Sequence, residues 1–187
     1  MLSRLARDLK RLALTGGALC LSTLSALAGT EFTAPVTSVR FGVICNHLPD
    51  GDEVTAPDTN AGKIRTGGNL PDFDIMTDQV PAMIGFAFGI EVETDPEAGA
   101  FAVEMRTQHP SFGEGYLETE SWPSTMMPGG PKVRLFTFEF DYELAPGRWT
   151  FEIVKDGAVI LRQDFDVLPE LAARPILQQC PGYGVIS

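Results

Sequence analysis

Apolar and polar side chains alternate every second residue along most of this chain, and that rhythm leaves little freedom of architecture. Val39, Phe41, Val43 and Cys45 share one parity, and Ile84, Phe86, Phe88, Ile90 and Val92 share another. Phe101, Val103 and Met105 repeat the pattern. Phe136, Phe138, Phe140, Tyr142 and Leu144 then stand opposite Thr137, Glu139, Asp141 and Glu143. A period of two marks strands, and one apolar face per strand calls for antiparallel sheets with a single buried side. Helical spacing is confined to Glu170–Gln179, where Pro175 limits it to a short turn. Strands are expected at 36–45, 82–93, 100–108, 115–121, 132–143, 148–154 and 158–167. The expected fold is all-β, a single antiparallel two-sheet sandwich of about seven strands, immunoglobulin-like in topology. A small barrel is the alternative.

The last hairpin allows a finer reading. A two-residue Asp156-Gly157 turn pairs Ile153 with Ile160 and puts the second strand's apolar series on the wrong face. A three-residue loop, Lys155 to Gly157, pairs Ile153 with Val159 and Phe151 with Leu161, so both apolar series agree. Register is enforced on a half-buried sheet, so the longer loop is expected, with Gly157 left-handed in a bulge.

The chain opens differently. Arg4, Arg7, Lys10 and Arg11 precede an apolar run, Leu12–Leu27, that ends in Ala26-Leu27-Ala28. This is the layout of a secretory signal with cleavage near Ala28, and the run falls short of the roughly 20 residues a membrane span needs. The expected division is therefore a signal at 1–28, a sandwich domain at 29–167 and a C-terminal tail at 168–187. Taking the four basic residues and one acid of 1–28 from the chain's 14 and 25 leaves 10 basic against 24 acidic. So acidic a product is unsuited to nucleic acid or an anionic lipid surface. Export also bears on Cys45 and Cys180, the two cysteines beyond the signal, which are expected to pair in an oxidising compartment and tie the tail to the first strand.

The string Leu144-Ala145-Pro146-Gly147-Arg148-Trp149-Thr150-Phe151-Glu152-Ile153 carries the resemblance to known proteins. Pro146-Gly147 makes the corner before the last hairpin, and Trp149, Phe151 and Ile153 enter the core. With Pro57-Asp58-Thr59, a Phe-Gly-Ile strand and Trp122-Pro123, the pattern resembles an uncharacterised family of small exported bacterial proteins, a domain of unknown function. The resemblance implies an immunoglobulin-like fold and an exported location, and brings no catalytic residues with it.

Two segments are too long for simple connections. Residues 46–81 hold seven carboxylates, and Asp50, Asp52, Asp72 and Asp74 are candidate calcium ligands, although the loop lacks an EF-hand pattern. Residues 110–131 hold Phe112, Tyr116, Trp122, Met126 and Met127, a candidate surface for a protein or glycan, against the alternative that Tyr116 and Trp122 close the core. His47 and His109 with Met105, Met126 or Met127 are candidate copper ligands. Gly-x-Ser-x-Gly and His-Glu-x-x-His patterns are absent, and no phosphate-binding loop follows a strand. The expectation is an exported, periplasmic or secreted, non-catalytic binding or structural module of the cell envelope that needs no cofactor. Its first rival is a periplasmic copper- or calcium-binding protein, and its second a hydrolase using a carboxylate pair.

Overall fold

A computed structural model describes residues 29–69 and 71–183; the signal expected at 1–28 lies outside the described residues. Among those described, eleven strands run in chain order. They are β1 (Thr30–Phe32), β2 (Val36–Ile44), β3 (Asp52–Thr55), β4 (Lys63–Thr66), β5 (Gln79–Pro81), β6 (Ala87–Thr94), β7 (Phe101–Gln108), β8 (Thr119–Met126), β9 (Lys132–Thr137), β10 (Gly147–Lys155) and β11 (Ala158–Leu168). A short helix, α1 (Arg174–Leu177), follows, and 3₁₀ turns occupy Pro96–Ala98 and Asp141–Glu143. No described helix is long and apolar enough to cross a membrane.

The seven strands expected from alternation are all present, with shifted limits, and four short ones join them. The strand expected at 115–121 forms later, as β8, because it runs along an open sheet edge that tolerates Pro123. The strand expected at 82–93 begins only at Ala87. The one expected at 132–143 stops at Thr137; Phe140 and Tyr142 keep its parity but lie around a 3₁₀ turn.

Two sheets form the sandwich. One has the order β2-β6-β9; the other has the order β11-β10-β7-β8, with β1 and β5 sharing the outer edge of β11. Counting only the seven long strands, the first, second and fifth face the seventh, sixth, third and fourth. That is the immunoglobulin-like arrangement, with β8 added beside the sheet that carries the last hairpin. Pairing is antiparallel within the sandwich except for β5, which runs parallel to β11 from Asp166 to Leu168. β3 and β4 form a separate hairpin within the long connection between β2 and β6.

The alternation predicts the buried face well. Phe88 of β6 lies at its centre, with ring centroids 5.0 to 5.8 Å from Phe165, Phe151, Phe138, Trp149 and Phe136. Trp149 also donates its indole N–H to the Ala145 carbonyl at 3.0 Å, which fixes the corner made by Pro146-Gly147. Outward, β7, β10 and β11 carry a charged ladder in which Glu152 lies between Arg106 and Arg162 at 3.2 and 3.4 Å.

The final hairpin departs from the expected register. Lys155 pairs with Ala158 across a two-residue Asp156-Gly157 turn whose φ angles are +51° and +81°. Positive φ at both positions is the turn that matches strand twist. The phase problem is solved further along: Val154 pairs with Val159 but Ile153 with Leu161, so Ile160 is an extra residue on β11. One bulge turns the rest of the strand over, and Ile153, Phe151 and Trp149 face Leu161, Gln163 and Phe165.

The tail folds back as expected. Cys45 and Cys180 are bonded, with Cα atoms 5.7 Å apart. Ala173 and Ile176 of the tail are buried, and Tyr183 lies against Phe86 at 5.6 Å.

Candidate functional site

Because successive long strands alternate in direction, the connections 45–86, 109–118 and 138–146 emerge at one end of the sandwich. Short turns close the other end. The three long connections are bonded to one another. Asn60 joins the first two: its side chain donates to the Leu117 carbonyl at 3.0 Å and accepts from the Leu117 N–H at 2.8 Å. The Asn60 N–H donates to Glu120 at 2.8 Å, and the Ser121 N–H donates to the Asp58 carbonyl at 3.0 Å. Arg65 of β4 pairs with Glu139, joining the first connection to the third.

Beneath this junction lies a buried contact between His109 and Glu120. His109 Nε2 is 3.2 Å from Glu120, and Nδ1 is 2.8 Å from the Pro110 carbonyl. Burial pushes the Glu120 carboxyl up, but hydrogen bonds from His109 and Asn60 outweigh it and hold the group below its ordinary value. Glu143, in the 3₁₀ turn, accepts from the N–H groups of Glu139 and Phe140 at 2.7 and 3.0 Å. Burial nevertheless dominates there and raises its pKa to about 7.

From Trp149 in the core, aromatic rings lead out to solvent. His109 lies 4.8 Å from Trp149 and stacks on Phe112 at 3.8 Å. Phe112 contacts Tyr116 and Tyr142 at 6.1 and 5.7 Å, and these tyrosines stack on each other at 4.7 Å. Phe140 closes the row, nearly parallel to Tyr142 at 5.4 Å. Tyr116 and Phe140 are 38% and 46% exposed, so the outer rings offer faces to solvent while the inner ones anchor them. Burial and the neighbouring Glu143 carboxyl raise the Tyr142 pKa to about 12, keeping its ring neutral.

The residues expected in a binding loop therefore separate. Phe112 and Tyr116 belong to the row. Met126 is buried in the core, Met127 is exposed, and Trp122 lies over the Arg134 guanidinium at 4.2 Å. Phe140 and Tyr142 keep the parity of Phe136 and Phe138, so alternation alone does not separate them from the core. Only the clustered acids around them, Glu139, Asp141 and Glu143, mark the change. Asn60 and Glu120 carry no sequence signal, since their partnership is tertiary.

The candidate metal ligands do not converge. Asp50 accepts from Asn69, Asp74 accepts from the Cys45 N–H at 2.8 Å, and His47 bonds Thr137 at 2.9 Å. Among the described residues, no three His, Cys, Asp or Glu side chains come together as a metal site.

Comparison with known proteins adds the following. No curated protein gives a significant match to the chain. An immunoglobulin-like protein from Pseudomonas aeruginosa, known from its crystal structure, is similar at 15% identity, with a TM-score of 0.47 over 76% of this chain and 99% of that one. Residues 33–167 match the family described as "Domain of unknown function (DUF3859)", and the chain belongs to that family.

Proposed function

We propose that the protein is an exported, non-catalytic binding module of the cell envelope that recognises its partner with the end of the sandwich bearing the aromatic row. The observation that carries this reading is the row itself: stacked rings rooted at Trp149 and ending in half-exposed Tyr116 and Phe140. A sandwich closes its core with far less, and rigid aromatic faces at a loop-built end favour recognition, since little side-chain freedom is lost on binding. The Cys45–Cys180 bond and the signal-like N-terminus support export. Two carboxylates a hydrolase would draw on, Glu120 and Glu143, are instead engaged by Asn60, His109 and backbone amides, which supports a scaffold without chemistry.

Photocrosslinking in cells tests it. A photoreactive residue replacing Phe140 is expected to trap a discrete partner, whereas one replacing Lys155, at the opposite end, traps none. Equal patterns from the two positions, or loss of folding when Phe140 or Tyr116 alone is replaced by Ala, would show that the row merely covers the core.

A further inference from the structure

We infer that the aromatic row receives a cationic polypeptide segment, its arginine or lysine side chains lying over the tyrosine and phenylalanine faces with carboxylates around them. This rests on the proposed binding end and specifies its partner. Aromatic faces attract cations, arginine most often, and the attraction grows where water is partly excluded. The surroundings select for that charge. Glu114 and Glu118 flank Tyr116, and Glu139 and Asp141 flank Phe140; all four are exposed. The cations on the adjacent β4, Lys63 and Arg65, are already committed, Lys63 to Glu53 and Arg65 to both Glu53 and Glu139. The patch therefore presents unspent negative charge beside ring faces. It repels anionic partners, and a neutral sugar gains nothing from the surplus.

The molecule already uses this chemistry internally. The guanidinium of Arg134 lies between the rings of Trp122 and Phe151, 4.2 and 4.5 Å from their centroids. The surface row offers ring faces of the same kind on its outer sides, at half-exposed Tyr116 and Phe140.

The test is an NMR titration of the ¹⁵N-labelled mature chain with an eight-residue peptide of alternating arginine and serine, and separately with a tetramer of N-acetylglucosamine. The peptide is expected to shift the amides of 112–118 and 139–143. Its affinity should fall about tenfold between 50 and 300 mM salt, because the attraction is partly between exposed charges. Tyr116→Ala should abolish the response. The double variant Glu114→Lys/Glu118→Lys should do the same without touching a ring. Peptide shifts spread evenly over acidic surfaces, or none at the row, overturn the inference. A row that answers to the sugar alone also overturns it while leaving the binding end in place, and crosslinking from Phe140 tests that end independently.

Discussion

Arg134 occupies a position where a sandwich ordinarily holds an aliphatic side chain. Its guanidinium is enclosed between the sheets, donating to the Arg106 carbonyl at 3.1 Å and to the Thr107 hydroxyl, while Nε finds no partner. Burial lowers its pKa to about 9, and the Glu120 charge works against that shift. The ring faces of Trp122 and Phe151 thus replace part of the water it gave up. Glu143 poses the converse problem, a carboxyl whose burial favours the proton. Unfolded, it titrates near 4.5; folded, near 7. Between those values the native state holds a proton that the unfolded chain has lost. Its contribution to stability is therefore complete below about pH 4.5 and disappears as the pH rises through 7. Denaturant midpoints measured from pH 4 to 8 should show this decline in the parent protein. Glu143→Gln, which keeps an acceptor for the Glu139 and Phe140 amides, should flatten that part of the profile. An unchanged slope in the variant would assign the pH dependence elsewhere.

Secondary-structure elements show what alternation can and cannot reveal. The Asp156-Gly157 turn needs positive φ at two successive residues, and a Cβ added at Gly157 meets no atom within 4 Å. The cost of Gly157→Val is therefore backbone strain, and a loss of about 1–2 kcal/mol is expected in chemical denaturation, with an unchanged m-value. No loss would show that the turn tolerates an ordinary side chain. The positive φ at Gly157 was legible from the sequence, whereas the register was not. Phase arguments assume an unbroken ladder, and the extra residue at Ile160 has no local signature, since Val159, Ile160 and Leu161 are equally apolar. Three of the short strands were hidden for a related reason. β1, β3 and β5 are three or four residues long, too brief for a period to register. Gly42 had a more concealed reason. A Cβ there would sit 2.5 Å from the Ile75 carbonyl and 2.8 Å from Phe73, which lie across the outside of β2. A glycine inside a strand marks such an approach without saying what approaches.

For the molecule as a whole, the disulfide joins positions 135 residues apart, so it closes nearly the entire described domain into one loop. The chain-entropy account assigns such a loop about 5 kcal/mol, less any relief of native strain. Reduction, or Cys180→Ser, should lower the melting temperature markedly while far-ultraviolet circular dichroism still reports the β-sandwich, because α1 packs on the edge strand β5 and the tail supplies none of the strand pairings. Identical melting curves with and without reductant would deny the tail a stabilising part. The fold class, the core parity and this bond could all be anticipated from sequence, since each depends on spacing or on compartment. The end bearing the aromatic row was legible only in part: Phe112 and Tyr116 stand out in a long loop, but Asn60, Glu120 and Tyr142 join them only once three separate connections converge. That convergence has a consequence of its own. A connection of some forty residues is ordinarily where a protease cuts first. Here the β3–β4 hairpin is bonded to its neighbours at Asp58, Asn60 and Arg65, so that part of the connection is not free to be drawn into an enzyme's cleft. The fastening that shapes this end also leaves a protease little to grip.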